Sequence, residues 1–531
     1  MNYPLVARLL GALCWLMGIT MLFSIPWAFP VMGVAPEFER SGCFALLASM
    51  VVCFAVGVLL RWLGRDAQMN LFRKEAMAVV GLSWVLATVL GALPYWLSGT
   101  CRGRQEADKA TPVRMTVYDC LFESQSGFST TGATVITDLE DTKLVPRSIL
   151  FWRSSTHFLG GLGIIVLFVA VLGQGSAGKA LMRAEIPGPS KEGSQERMQH
   201  TAWNFAAIYV ALNLILTVLL MLESKKMNLF NALCHAFGTM ATGGFSTYND
   251  SVAAFDSALV DYTITVFMII AGMNFTLIYL VLVGRWSAMW KDIEWRAYLT
   301  GMAVVIAAIM AMSIGTYHEF DPNDKLPWLT EFRVAFRYVS FQVVSIMTTT
   351  GFGTHNFDTW HQLARALLFL LMFVGGCAGS TGGGIKVIRH VLFVKILGME
   401  IERSYHPTVV RPLKLGDNVT TDAELRSQIL LYFGLVTFIF MLSWITLVAI
   451  EPESTWTEVG QPVDNKLIDC ASAVAATMNN IGPGLGTVGA KQNYANFEPL
   501  SKLLFIFLMT LGRLELFAVL VLLLPGFWRS H

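Results

Sequence analysis

The residues in this chain best suited to chemistry are uncharged: glycines set beside short hydroxyl side chains, with the backbone carbonyls between them. They occur in four segments. Residues 118–134 end in Ser-Gly-Phe-Ser-Thr-Thr-Gly-Ala-Thr, and residues 229–247 in Met-Ala-Thr-Gly-Gly-Phe-Ser-Thr. Residues 335–354 end in Met-Thr-Thr-Thr-Gly-Phe-Gly-Thr, and residues 468–487 in Met-Asn-Asn-Ile-Gly-Pro-Gly-Leu-Gly-Thr. Each opens with a moderately apolar stretch of about 12–15 residues, too short to cross a bilayer as a helix. Non-helical backbone at membrane depth is tolerated where it is buried in protein or lines water. There its carbonyl oxygens can replace the hydration shell of a potassium ion. Glycine supplies the backbone angles such a loop needs. Thr130, Thr131, Thr242, Thr349 and Thr350 add hydroxyl ligands or brace the turn. No acidic residue falls in the four cores, which favours weak neutral coordination over a ring of charged side chains.

A single loop of this kind reads as a re-entrant turn. Four, aligned here on Gly132, Gly243, Gly351 and Gly482, read as an internal repeat that fixes the architecture. The elements around them are membrane spans. Hydrophobic residues make up 54% of the 531 and charged residues 14%, against roughly a quarter charged in a soluble domain. Apolar runs of bilayer length cover 5–30, 39–62, 76–98, 147–173, 200–222, 258–283, 295–316, 361–396 with a break, 426–450 and 500–527. The first run is too long for a signal-peptide core of ~7–15 residues, so we expect a retained helix. Continuous hydrophobicity excludes a barrel, whose strands alternate. The expected fold is an all-α polytopic membrane protein. Two leading helices (1–70) precede four parallel repeats of span, pore loop and span around a central pore, at 71–180, 181–288, 289–400 and 401–531.

Lys and Arg orient the chain. Arg61, Arg65, Arg73 and Lys74, then Lys179, Arg183, Lys191 and Arg197, then Arg285, Lys291 and Arg296, then Lys395, Arg403, Arg411 and Lys414 fall in alternate connections. That places both termini in the cytoplasm and the pore loops on the outside. Arg102, Arg104, Lys109 and Arg114 run against the rule in one outer loop. The hairpin at 451–465 carries Glu451, Glu453, Glu458 and Asp464, as a cation-gathering vestibule or a solvated loop would.

Two features lie inside spans. Gly375, Gly376, Cys377, Ala378, Gly379, Ser380, Thr381, Gly382, Gly383 and Gly384 interrupt the run at 361–396. Each glycine costs a helix about 1 kcal/mol relative to alanine. The stretch is no phosphate loop, because Gly384-Ile385-Lys386 lacks the required Gly-Lys-Ser/Thr. It reads either as a flexible loop in the pore below the filter or as close helix packing through small residues. Arg513 sits in the last span. A charge at that depth usually faces a pore or a partner, and Glu515, two residues on, does not share its helix face. His157, Arg153 and His235 read as hydrogen bonding between helices. Lys386 and Arg389 read as inner-side anchors.

The loops Thr-Thr-Gly-Ala-Thr, Thr-Gly-Gly-Phe-Ser, Thr-Gly-Phe-Gly-Thr and Asn-Ile-Gly-Pro-Gly, in that order, resemble those of the Trk/Ktr/HKT superfamily of potassium transporters. The length and two leading spans look most like its TrkH/TrkG branch, and the resemblance covers about 76–526. It implies a potassium filter at Thr130, Thr131, Gly132, Thr242, Gly243, Thr350, Gly351, Asn480, Ile481 and Gly482. In some plant members serine at the first of these glycines accompanies sodium transport. It implies a gate built from Gly375, Gly376, Gly379, Ser380, Thr381, Gly382 and Gly383, with Arg513 projecting into the pore. It further implies a homodimer in the bacterial inner membrane, each protomer with its own pore, and a cytosolic nucleotide-binding regulatory subunit of the TrkA type. The fourth loop departs from the Thr-Gly pattern, so unequal contributions around the pore are expected.

Potassium is then substrate, and no cofactor is expected. The chain has no Rossmann fingerprint, no ligand-spaced Cys/His cluster among its eight cysteines, and a net charge of +1 that gives no bulk attraction to nucleic acid. A bridge between Cys101 and Cys120 is possible only if their geometry permits it. A membrane enzyme would need a clustered nucleophile, base or metal site, and His157, His235, His355, His361 and His390 form no ligand-spaced pair on one helix. The competing reading is a proton- or sodium-coupled secondary transporter, which broken helices also suit. The repeats here are parallel rather than inverted, and few carboxylates are expected inside the spans.

Overall fold

The computed structural model describes residues 1–67, 72–104, 111–172, 195–314, 320, 327–406, 413–415, 418–420, 423–458, 460, 462–514 and 516–529. Lys109, Lys179, Arg183, Lys191, Arg411 and Glu515 lie outside the described residues. The described residues are mostly helical. The leading pair is α1 (Tyr3–Met21), which tightens into a 3-10 segment (Leu22–Ala28) around Pro26, and α2 (Arg40–Leu63). Among the described residues, six helices are long and apolar enough to cross a membrane.

Each repeat places a span, a half-helix and a second span in order. Repeat one has α3 (Arg73–Ser98), a hairpin of β1 (Cys101–Arg104) and β2 (Pro112–Arg114), the half-helix α4 (Val117–Phe128) and α5 (Arg147–Leu172). Repeat two has α6 (Gln195–Glu223), the half-helix α7 (Leu229–Met240), α8 (Ala258–Ala271) and α9 (Phe275–Leu282). A short α10 (Trp286–Lys291) leads to repeat three: α11 (Ile293–Met312), the half-helix α12 (Trp328–Met347), α13 (Gln362–Leu371) and α14 (Val387–Tyr405). After the small hairpin of β3 (Leu413–Leu415) and β4 (Asn418–Thr420) comes repeat four. It holds α15 (Ala423–Ile450), a short α16 (Ser454–Glu458), the half-helix α17 (Lys466–Met478), α18 (Pro499–Leu514) and α19 (Leu516–Leu520), and α20 (Pro525–Trp528) closes the chain.

The half-helices start where side chains can satisfy orphan N–H groups. Thr116 and Asp119 form a reciprocal capping box at α4. Asn228 caps α7 through the Asn231 N–H at 2.9 Å. Their C-terminal halves are buried almost without exception, polar residues included.

Three expectations are corrected. The run at 258–283 is not one helix: α8 and α9 meet at 102°. Gly272 ends the first piece and the Asn274 side chain caps the second, accepting from the Thr276 N–H at 2.8 Å. The run at 500–527 is not helical in one style to its end: beyond Leu520 the chain tightens into a 3-10 turn, Val521–Leu523. The third half-helix begins at Trp328, earlier than 335. The ion pair of its Arg337 with Asp261 on α8, at 2.7 Å, ties that longer helix to repeat two.

The basic outer loop has a structural account. Arg102 donates to the Ala495 carbonyl at 2.8 Å, and Arg104 pairs with Asp141 at 2.5 Å. The loop's positive charge is thus used to fasten the β1–β2 hairpin. The Arg104 hydrogen bond holds the Asp141 carboxyl below its usual range. That contact is complete at neutral pH and is lost as pH falls through the lowered value. Cys101 and Cys120 are both free thiols. Glu451 does not face an open vestibule: it is buried, and takes hydrogen bonds from Thr455, Ser501 and the Glu498 N–H. Glu453 and Asp464 of the same hairpin are exposed.

Candidate ion filter and gate

All four half-helices end by the same device. The residue directly after each left-handed turn bonds back into the helix: the Thr131 N–H to the Ser126 carbonyl at 2.9 Å, Gly243 to Gly238 at 2.7 Å, Thr350 to Ser345 at 2.8 Å and Ile481 to Ala476 at 2.8 Å. The residue before each donor is left-handed, with φ of 52° at Thr130, 53° at Thr242, 59° at Thr349 and 55° at Asn480. This is the Schellman closure, which usually employs glycine or asparagine at that position. A β-branched residue there is an outlier, and such strain costs of order 1–3 kcal/mol and gathers at functional sites. Three threonines in the same strained state, in three unconnected loops, mark one shared requirement.

Four residues after the last helical residue, the chain is left-handed again, at Gly132, Gly244, Gly351 and Gly482. These glycines define a ring. A methyl group on Gly132 would overlap the carbonyl oxygen of Gly243, and one on Gly244 would overlap that of Thr350. One on Gly351 would overlap the Ile481 carbonyl, and one on Gly482 would press on the Thr131 carbonyl. Each loop therefore abuts the next, in cyclic order, and the fourth abuts the first. The residues in contact across the ring are Thr131, Gly243, Thr350 and Ile481, each offering its carbonyl edge. Gly243 thus shares the position of Thr131, and the equivalent of Gly132 is Gly244, one residue beyond the glycine on which the second loop was aligned. Counting four residues from the observed helix ends, Phe128, Met240, Met347 and Met478, gives the same register.

The four half-helices direct their C-termini at the ring, and each brings about half a negative charge there. Asn480 reaches across from the fourth loop to the first, donating to the Thr131 hydroxyl at 3.0 Å and to the Met509 carbonyl at 2.9 Å. The Tyr494 hydroxyl holds the Gly482 carbonyl at 2.8 Å.

Charged side chains brace the ring from behind. Glu123 on α4 takes Arg153 Nε at 2.6 Å, the Thr134 hydroxyl at 2.9 Å and the Val135 N–H at 3.0 Å. Arg153 also donates to the Ser246 carbonyl at 3.0 Å, and its guanidinium lies 3.4 Å from the centre of the Phe245 ring. His157 stacks on Phe245 at 4.0 Å. His235 bonds the Ser246 hydroxyl at 2.9 Å. Glu123 and Gly244 gave no sequence signal strong enough to single out alone. The spacing of Glu123 from Gly132, matched by His235 from Gly244 and Gln342 from Gly351, was available once the register was known.

The glycine run between α13 and α14 is an extended loop lying against the helix C-termini. Gly382 approaches the Thr348 carbonyl, Gly383 packs on Asn480, and Gly384 on Asn479. The Gly383 N–H donates to the Thr349 hydroxyl at 2.8 Å. The Thr381 hydroxyl bonds the Met240 carbonyl at 2.9 Å and the Ala271 carbonyl at 3.1 Å. The Ser380 hydroxyl turns back to Cys377 at 2.7 Å, and the Gly375 N–H meets the Ile385 carbonyl at 2.8 Å, closing the loop's neck. Gly376 and Gly379 lie against the break in repeat two, where the Cys377 N–H bonds the Gly272 carbonyl at 2.9 Å and the Phe275 N–H bonds the Gly379 carbonyl at 3.1 Å. Lys386, expected as an inner anchor, also bonds the Gly382 carbonyl. Arg513 joins two repeats: it donates to the Thr381 carbonyl at 2.6 Å and to the Gly160 carbonyl of α5 at 2.7 Å.

Broken helices, four half-helices of one design and a polar interior in an apolar helical shell define a membrane transport protein. A family model described as TrkH, cation transport protein, matches residues 43–526. The chain belongs to this TrkH family. It is 34% identical over 534 residues to the Trk system potassium uptake protein TrkH of Salmonella typhimurium, covering 100% of both chains. It is 30% identical to TrkG of Escherichia coli strain K12, covering 99% of this chain and 98% of that one. The crystal structure of the potassium transporter TrkH from Vibrio parahaemolyticus superposes with a TM-score of 0.81 at 31% identity, over 100% of both chains.

Proposed function

We propose that this chain is the potassium-conducting subunit of a Trk-type uptake system in the bacterial inner membrane, with both termini cytoplasmic. The observation that carries this reading is the ring of four loops whose carbonyl edges meet at Gly132, Gly244, Gly351 and Gly482, with no acidic side chain in any core. Neutral carbonyls suit an ion that must be held weakly enough to leave. The names of the relatives support potassium as the ion. The division into two leading helices and four repeats at residues 70, 180, 288 and 400 is kept in this reading. So are the homodimer with one pore per protomer and the TrkA-type regulatory subunit.

Below the ring, the glycine loop and Arg513 form the gate. The loop fills the space under three of the four helix C-termini, and Arg513 places a positive charge there while fastening the loop to α5. Coupled transport is the weaker reading. Buried Glu294, Glu451 and Asp469 accept hydrogen bonds, and three further buried carboxylates, Asp119, Glu123 and Asp261, are paired with Lys502, Arg153 and Arg337 at 2.6 to 2.7 Å. So held, these last three are ion pairs rather than free proton carriers.

Arg513→Ala tests the gate. It removes both bridging hydrogen bonds, each worth about 1.5–3 kcal/mol when the donor is charged. In proteoliposomes without any partner, potassium flux is expected to rise about tenfold, with potassium still preferred over sodium. Arg513→Lys keeps the charge but not the two-armed geometry and is expected to fall between. Unchanged flux in Arg513→Ala would remove Arg513 from the gate.

A further inference from the structure

We propose that Glu294 is a positioning residue that clamps the two limbs of the intramembrane loop together in its closed state; this rests on the reading of that loop as a gate. Glu294 lies in the first turn of α11 and is buried. Its Oε1 accepts the Ala378 N–H at 2.8 Å and the Ile388 N–H at 3.0 Å. The two donors stand on opposite limbs. Ala378 lies inside the glycine run. Ile388 lies in the first turn of α14, where a helix N–H has no partner of its own. A single carboxylate oxygen thus holds the entry and the exit of the loop to a third element.

The neighbouring contacts explain why that position matters. The entry limb is also held by the break in repeat two, through Cys377 to Gly272 and Phe275 to Gly379. The same segment of chain runs from that break through α9 and α10 to the start of α11, where Glu294 sits. The loop is therefore gripped from both ends of one continuous stretch, residues 272–294. Moving the loop off the ring requires both Glu294 bonds to break, and each would leave a buried N–H without a partner, which is costly. The clamp makes the closed loop a discrete state rather than a floppy plug.

Cys377, adjacent to Ala378 and buried, reports on this position without any added probe group. The experiment is alkylation of the intact protein in proteoliposomes by N-ethylmaleimide, read for each cysteine by mass spectrometry, beside potassium flux. Glu294→Ala removes both bonds and is expected to raise Cys377 labelling by about tenfold or more, the loss of even one such bond being enough for tenfold. Cys120 and Cys470, buried in half-helices, are expected to label as in wild type. Glu294→Gln keeps an acceptor oxygen and is expected to restore protection of Cys377. Protected Cys377 in Glu294→Ala overturns the clamp. So does a rise shared equally by Cys120 and Cys470, which would mean general loosening. Selective Cys377 labelling with increased flux supports both clamp and gate. Selective labelling with unchanged flux supports the clamp and overturns the reading of the loop as the gate.

Discussion

Gly351→Ala is expected to lower the potassium-over-sodium permeability ratio by about tenfold or more, while the protein still inserts and folds. The new methyl group faces two penalties. The backbone at Gly351 is left-handed, φ 80°, a state that costs other residues roughly 1–2 kcal/mol. The methyl also occupies the place of the Ile481 carbonyl oxygen. That carbonyl has no spare room, since its own N–H is tied back to Ala476 and the adjacent Gly482 carbonyl is held by Tyr494. The ring must open at the junction of loops three and four, and about 1.4 kcal/mol of lost discrimination is already tenfold. Gly132→Ser carries the same argument to the junction of loops one and two, where the Gly243 carbonyl is displaced. Bi-ionic reversal potentials measure both. A ratio unchanged in both variants would mean that ions do not pass between these carbonyls.

The second large effect is on stability. Arg153→Met is expected to cost about 3–5 kcal/mol, as removing one member of a buried ion pair does. Arg153 is 1% exposed and Glu123 is 0% exposed, so no solvent replaces the lost charge. Glu123 would retain only its bonds to Thr134 and Val135. The Ser246 carbonyl and the face of Phe245 would lose their cation. The midpoint of thermal unfolding in detergent should fall by many degrees. The double variant Arg153→Met with Glu123→Gln should recover part of the loss, because it leaves no unpaired charge. If the double variant is no better than the single, the pair is not the source of the effect.

The membrane class and the fourfold repeat were legible because both are periodic. Apolar runs of bilayer length and four glycine-threonine loops stand out against any background. The finer geometry of the ring of loops was less so. Two adjacent glycines in the second loop made the register ambiguous by one residue, and only the end of α7 at Met240 resolves it in favour of Gly244. The 102° break at Gly272 was hidden by the hydrophobicity of the residues on either side, although Gly272 followed by Asn274 is a helix stop followed by a cap. Glu294 looked like any acidic residue near a helix N-terminus. Its two partners lie 84 and 94 residues away, on a loop whose path no local pattern specifies. Arg153 showed itself as a charge in a span, but its carboxylate partner Glu123 is on a different element. What sequence conveys here is local conformation and burial; what it withholds is which distant backbone groups a buried charge will meet.

The most direct test of the central claim is the reversal potential of the wild-type protein in a planar bilayer, with potassium on one side, sodium on the other and equal pH across. The account predicts a current without any proton gradient, reversing close to the potassium equilibrium value. A reversal potential near zero, or a current that appears only when a proton gradient is imposed, would contradict it.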